Sequence, residues 1–120
     1  EQASDISLRL LAAEITRERI YDRLHQELPY QSTVETDSWT ERKDNSVRIE
    51  QTIYVERDGQ KAIVIGRQGH MLKQIGTQAR QEMERLFGVK VYLQLWVKVK
   101  EKWSDDERAL RSLGGVIMSY

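Results

Sequence analysis

Residues 63–76 read Ile-Val-Ile-Gly-Arg-Gln-Gly-His-Met-Leu-Lys-Gln-Ile-Gly, with Gly66 and Gly69 three positions apart between two apolar segments. Glycine adopts backbone conformations that other residues avoid, and it has no side chain to keep a ligand at a distance. A helix that starts near Gly69 would point unpaired N–H groups toward the bend, where they favour an anion. Arg67 in the bend and Lys73 one turn later add positive charge. The stretch therefore predicts a bend between two helices that is suited to holding a phosphate backbone.

Length and composition limit the chain to one small domain. Its 120 residues are 39% hydrophobic, which is enough for a single core. The chain contains no cysteine, so disulfides and thiolate metal sites are excluded. No apolar run approaches the ~20 residues of a membrane span, so we expect a soluble protein. We expect residues 1–120 to form one domain with loose ends at 1–5 and 115–120, cut from a longer protein because the chain opens on Glu1.

The formal net charge is zero, but the charges are unevenly distributed. Residues 1–60 contain 8 basic and 13 acidic side chains, whereas residues 61–120 contain 11 basic and 6 acidic ones. The two halves therefore carry −5 and +5. Such asymmetry is typical of a basic working face on an otherwise acidic domain, although a mixed solvated surface would also produce it.

Hydrophobic periodicity predicts an α+β fold. Alternating apolar residues indicate strands, and apolar residues at three- and four-residue steps indicate helices. The predicted elements are a helix from Ser4 or Asp5 to Pro29, strands over 31–43 and 46–57, helices over 60–65 and 69–87, a strand over 89–100 and a short helix over 105–113. A hairpin joins the first two strands, and the third is reached across a helix pair and can lie parallel to its neighbour. The order predicts a three-stranded mixed sheet with helices on one face.

The same periodicity predicts which helix faces are buried. For the first helix the predicted apolar face is Leu8, Leu11, Ala12, Ile15, Ile20, Tyr21, Leu24 and Leu28. For the helix after the glycine bend it is Leu72, Ile75, Ala79, Met83 and Leu86. Gly88 is the expected C-cap of that helix.

The glycine bend in this element order resembles a type II KH domain, the α-β-β-α-α-β arrangement of bacterial RNA-binding proteins. KH domains use a G-x-x-G loop, here Gly66-Arg67-Gln68-Gly69, to clamp the backbone of about four nucleotides. The resemblance implies that the bases lie in an apolar groove beside the loop.

Further segments resemble one family of KH proteins. Residues 95–103 and 105–114 are similar to the C-terminal signature of the Era family of bacterial ribosome-assembly GTPases, as are residues 27–30 and 55–61. The resemblance implies binding to the single-stranded 3′ end of 16S rRNA in the small ribosomal subunit. It also implies a GTPase domain in cis in the full-length protein, and a cytoplasmic location with a peripheral inner-membrane one as an option. This chain has no G-x-x-x-x-G-K-[ST] phosphate loop, so we expect no GTP hydrolysis from it.

The expected mechanism is binding without chemistry. Backbone N–H groups of the loop, with Arg67 and Lys73, would hold phosphates, and an apolar wall of Ile63, Ile65, Leu72 and Ile75 would hold bases. We expect Arg80 to be an ordinary solvated charge. The predicted RNA-binding residues are Lys61, Ile63, Ile65, Gly66, Arg67, Gln68, Gly69, His70, Leu72, Lys73 and Ile75.

Other interpretations of the sequence predict different functions. Trp39, Tyr54, Tyr92, Trp96 and Trp103 could stack on bases, although packing within the protein is the simpler interpretation. His25 and His70 are isolated, and we predict no metal, no cofactor and no catalytic residue. A KH fold that docks on a ribosomal or other protein is one alternative. A small nuclease is another, but it lacks a recognisable catalytic set.

Overall fold

The computed structural model describes residues 2–28 and 32–100, with side chains from Ile6 onward. Its elements are α1 (Gln2–Leu24), β1 (Ser32–Glu41), β2 (Val47–Val55), α2 (Asp58–Ile65), a 3₁₀ turn (Arg67–Gly69), α3 (His70–Phe87) and β3 (Val91–Val99). The predicted order is confirmed from the first helix to the third strand. The predicted helix over 105–113 and loose end over 115–120 lie outside the described residues.

The sheet has the strand order β1-β2-β3. Strands β1 and β2 form an antiparallel hairpin with a bulge between Thr36 and Ser38, and β2 and β3 pair in parallel from Val47↔Val91 to Val55↔Val99. The hairpin turn is held by Asp44, whose carboxylate accepts the Ser46 hydroxyl at 2.6 Å and the Ser46 amide at 3.0 Å. These bonds hold the pKa of Asp44 below its usual value. The three-stranded mixed sheet and the α+β fold class are as predicted.

Helices α1, α2 and α3 pack on one face of the sheet and form two adjoining core clusters with it. One surrounds Ile53 and Ile75, and the other surrounds Ile49 and Met83. A buried polar chain fastens α1 to the sheet: Thr16 Oγ1 donates to Gln51 Oε1 at 2.5 Å, and Gln51 Nε2 donates to Thr36 Oγ1 at 3.1 Å. Because each of these buried polar groups has a partner, the hydrogen bonds position α1 at little desolvation cost.

Helix α1 differs from its prediction at both ends and on its flanks. It begins at Gln2, inside the predicted loose end, and it ends at Leu24 rather than at Pro29. Leu11 and Tyr21 are exposed, so their assignment to the core is wrong. Only the side of a helix that meets the sheet is covered, and here that side carries Ala12, Ile15, Thr16, Ile20 and Leu24.

Helix α2 begins at Asp58, two residues before the predicted start at Gln60. The Gln60 side-chain oxygen accepts the backbone N–H groups of Glu56 at 2.8 Å and Arg57 at 3.1 Å. This cap makes Asp58 and Gly59 the first turn of the helix rather than a strand-closing turn.

Over the described ranges, no helix is both long and apolar enough to cross a membrane.

Candidate functional site

Three of the four residues in the bend between α2 and α3 have a positive φ. Gly66 has φ 76° and ψ 177°, Gln68 has φ 55° and ψ 25°, and Gly69 has φ 78° and ψ 7°. The Gly66 conformation lies in a region that only glycine occupies readily, whereas polar residues such as Gln68 tolerate the left-handed region at modest cost. The two glycines thus let the chain leave α2 and enter α3 within a few residues.

The bend leaves backbone donors free at its middle. The Gly66 N–H donates to the Ala62 carbonyl at 2.8 Å, and the Gly69 N–H donates to the Gly66 carbonyl at 3.1 Å. Among the described residues, the N–H groups of Arg67 and Gln68 have no acceptor. Of the loop amides, those of the two middle residues are therefore the ones left free to donate to a ligand.

The start of α3 also favours an anion. No side chain caps its first turn, and that turn contains no acidic residue. The His70 N–H donates to the Arg67 carbonyl, and the macrodipole of this 18-residue helix favours a negative charge at its start. Arg67, Gln68 and Lys73 are all exposed around this point.

A groove of about 410 Å³ runs from the bend along α3 and β3. One wall is a single stripe of α3, and the other is the middle of β3. The lining residues are Gly69, Leu72, Lys73, Gly76, Thr77, Arg80, Leu93, Gln94 and Leu95. From Gly69 to Arg80 the helix rises about 16 Å, which is the length of a few nucleotides.

Gly76 keeps the floor of this groove open. A Cβ at this position would lie 3.4 Å from Leu95 Cδ1, in ordinary van der Waals contact. Any longer side chain would extend from there into the groove.

Strand β3 is the edge of the sheet, so half of its backbone polar groups point away from β2 and can pair with a ligand.

Arg80 lies at the end of the groove farthest from the bend. Its Nη1 is 3.2 Å from Glu84 Oε1, and the other Glu84 oxygen accepts the Val91 N–H at 2.9 Å. Glu84 therefore ties α3 to the start of β3 and orients Arg80. Arg80 is therefore a partly exposed, ion-paired charge at the groove.

The structure brings together only part of the predicted site. Gly69, Leu72 and Lys73 line the groove, with Gly66, Arg67 and Gln68 in the adjoining bend. Ile75 is fully buried, so its assignment to a base-binding wall is wrong. Lys61, Ile63, Ile65 and His70 are not among the groove-lining residues, and Ile65 packs against the core.

Sequence reasoning missed the far half of the groove. Gly76, Thr77 and Arg80 continue the stripe of Gly69, Leu72 and Lys73 at steps of three and four residues, and that spacing could have identified them. No signal in the sequence identifies Leu93 and Leu95, because their alternation indicates only a buried strand face.

A second concavity, of about 740 Å³, lies between α1 and α3, but its charges are already paired. Arg19 contacts Asp22 at 3.0 Å, and Arg85 contacts Glu82 at 2.6 Å. Arg23 donates to Gln74 at 2.8 Å and to Gln78 at 3.1 Å. Arg19 and Arg85 therefore pair within their own helices, and Arg23 links α1 to α3. Within residues 2–28 and 32–100, no three His, Cys, Asp or Glu side chains form a metal-binding group.

Comparison with known proteins gives consistent matches. Residues 27–104 match the sequence profile of the KH domain. The chain is 62% identical over 114 residues to GTPase Era of a Bradyrhizobium species and 57% identical to GTPase Era of Brucella suis, covering 95% of this chain and 37% of each relative. The chain thus spans little more than a third of the length of these curated relatives.

Two solved structures share the fold at 43% identity and a TM-score of 0.75, each covering 80% of this chain. One is a variant of Aquifex aeolicus Era bound to GDP and AlF4⁻, of which 33% is covered. The other is Era in complex with MgGDPNP and nucleotides 1506–1542 of 16S ribosomal RNA, of which 32% is covered.

Proposed function

Because this chain belongs to the KH domain family, we propose that it binds single-stranded RNA in the groove between α3 and β3. KH domains clamp the backbone of about four nucleotides with their G-x-x-G loop. The observation that carries the proposal is the pair of unpartnered N–H groups at Arg67 and Gln68, directly beside the uncapped start of α3 and one end of the groove.

The target we propose is the 3′ end of 16S rRNA in the small ribosomal subunit. Support comes from the similarity to relatives named GTPase Era and from the related structure that contains nucleotides 1506–1542 of this RNA. In a full-length protein, a GTPase domain in cis would accompany the KH domain, in the cytoplasm where ribosomes assemble. We assign no GTP hydrolysis to these 120 residues, since the sequence contains no phosphate-loop motif.

The geometry favours phosphate binding at the bend and base binding farther along the groove. Phosphates would lie at the bend, held by the Arg67 and Gln68 amides, the start of α3 and the Lys73 ammonium. Bases would lie between Leu72 and the facing Leu93 and Leu95, with their edges against the free backbone edge of β3. Arg80, held by Glu84, would present donors to the last base or phosphate.

The proposal is tested by titrating a fluorescently labelled RNA that matches the pyrimidine-rich 3′ end of 16S rRNA. If the bend contacts three or four phosphates, log affinity falls with log salt concentration with a slope of about −2 to −3. A duplex of the same sequence is expected to bind at least roughly tenfold more weakly, because its bases cannot enter the groove. Equal affinity for duplex and single strand, or no dependence on salt, would contradict the proposal and favour a protein-docking role.

Filling the groove should separate binding from stability. Gly76→Leu extends a side chain over Leu95 while improving helix propensity by about 1 kcal/mol, so the folded domain is expected to lose no stability beyond minor repacking. RNA affinity is expected to fall at least roughly tenfold, since a base must leave the occupied volume. The matched control is Gly76→Ala, whose Cβ fits and whose affinity should stay close to that of the parent chain. Thermal melting and the same titration measure both effects, and unchanged affinity in Gly76→Leu would exclude this groove.

A further inference from the structure

The face of the sheet that α1, α2 and α3 leave uncovered in the described part of the chain carries exposed aromatic rings. Tyr92 and Trp96 point to this open face of β3 and are 39% and 40% exposed. The register pairs Thr52 with Trp96 and Tyr54 with Lys98, so Tyr54 lies diagonally next to Trp96. The three rings form a stripe across β2 and β3, away from the groove side of the strand.

Cationic side chains lie over the two tyrosine rings. Arg42 and Lys90 lie over the Tyr92 ring at 4.8 and 5.2 Å from its centroid, and Lys100 lies 5.4 Å from the centroid of Tyr54. Lys98 completes the row along β3. Across the described part of the chain, Lys90, Lys98 and Lys100 make no ion pair. We call Tyr54, Tyr92, Trp96, Lys90, Lys98 and Lys100 the open-face strip.

Of the acidic side chains on this face, Glu35 and Asp37 lie on β1, and Glu50 lies on β2 opposite Gln94. Burial, together with the carboxylates of Glu35 and Asp37 on β1, raises the pKa of Tyr54. Glu50 is paired with Arg48, whose Nη2 also donates to Gln94 at 2.6 Å. An anionic ligand on this face would therefore be repelled from β1 and attracted to the edge strand β3.

We propose that the open-face strip is a second contact surface for single-stranded RNA, which reaches it from the groove by passing around the edge of β3. The inference rests on the proposed function of the groove. Strand β3 separates the two surfaces, with Leu93 and Leu95 on the groove side and Tyr92 and Trp96 on the other. Gln94 lines the groove and also bonds to Arg48 on the open face, so the RNA needs to cross only one strand.

Ring spacing and surface chemistry fit a nucleic acid better than a protein. Four residues of a parallel strand separate Tyr92 from Trp96 by about 13 Å, which is about four times the ~3.4 Å rise per nucleotide of a stacked strand. Flat rings offer stacking surfaces to any base, and unpaired ammonium groups beside them offer contacts to phosphates. In the described residues, the large exposed aliphatic side chains lie on the helices, and none lies on this face. Lysine is depleted at protein–protein interfaces, so the unpaired lysines beside the rings disfavour a protein partner.

Two RNAs of different length test the inference. One is a short single strand that only fills the groove, and the other carries the same sequence extended to roughly 20 nucleotides. The double variant Tyr92→Ala/Trp96→Ala is expected to lower the affinity for the long RNA by roughly 10- to 100-fold and to leave the short RNA within about twofold. Trp96→Phe should restore part of the loss, because a ring remains. Tyr21→Ala, which removes an exposed ring on α1, should change neither affinity.

The lysines provide a second measurement that does not disturb ring packing. Lys98→Gln/Lys100→Gln is expected to reduce the salt slope for the long RNA by about 1.4, or about 0.7 for each lost phosphate contact, with no change for the short RNA. Equal changes in the salt slope for both RNAs, or no change for the long one, would contradict the proposal that the open-face strip binds RNA. If the parent chain fails to bind even the short RNA, the proposed groove function fails instead, so the two failures are distinguishable.

Discussion

Replacing the two middle residues of the bend with aspartate, Arg67→Asp/Gln68→Asp, is expected to weaken RNA binding by roughly 150-fold. The change removes one positive charge and adds two negative ones beside the phosphates. The interaction of each charge with a phosphate at 4 Å is worth about 1 kcal/mol in water. The three charge changes therefore cost about 3 kcal/mol of binding free energy. Both side chains are exposed, and aspartate tolerates the left-handed backbone at Gln68, so the fold should be unaffected.

The matched control is Arg67→Asn/Gln68→Asn, because asparagine has the shape of aspartate but no charge. It loses only the Arg67 contribution and should bind roughly fivefold more weakly than the parent chain. Fluorescence anisotropy at fixed salt compares the three proteins, and thermal melting checks that their stabilities agree. Equal affinities of the aspartate and asparagine variants would show that no phosphate lies at the bend.

The bend also predicts a large effect on stability. Gly66→Ala is expected to destabilise the domain by about 3 kcal/mol, because a Cβ would lie 2.5 Å from Met71 Cβ and 2.9 Å from the Met71 nitrogen. The backbone at Gly66, with φ 76° and ψ 177°, adds strain for any L side chain. The melting temperature should fall by roughly 12–24 °C.

Gly69→Ala is the control for this prediction. Gly69 also has a positive φ, but a Cβ there would meet no atom within 4 Å. Its expected cost is therefore only the left-handed strain of about 1–2 kcal/mol. Urea or thermal unfolding measures both variants, and equal stabilities would contradict the close contact between Gly66 and Met71. The difference also explains why a charge placed at Gly66 is a poor test of RNA binding, since such a variant would lose its fold first.

The aromatic residues of the sequence illustrate how burial separates similar side chains. Trp39 packs edge-on against Phe87 at 5.4 Å between ring centroids, as part of the cluster around Ile49. Trp96 shows the same alternating strand context in the sequence but lies on the uncovered face. Local sequence gives both residues a strand position, and only the packing of the helices decides which of them solvent or a ligand can reach.

The element order followed from the sequence because its signals are local. Apolar alternation, helical spacing and the glycines at positions 66, 69 and 88 each act within a few residues, and the resulting elements agree with the structure to within a few residues over the described ranges. The bend itself was equally local, since its backbone conformations are ones that glycine alone or a polar residue can adopt.

Which residues surround the bend was decided by tertiary structure. Periodicity shows that Leu72 and Ile75 belong to one helix, but only the packing of α3 on β3 buries Ile75 completely and leaves Leu72 at the groove. The facing wall comes from Leu93 and Leu95, about twenty positions later in the sequence, and the open-face strip comes from the other side of the same strand. A sequence specifies which side chains share a face through the period of its backbone, whereas the neighbour that covers or leaves that face depends on contacts between distant elements.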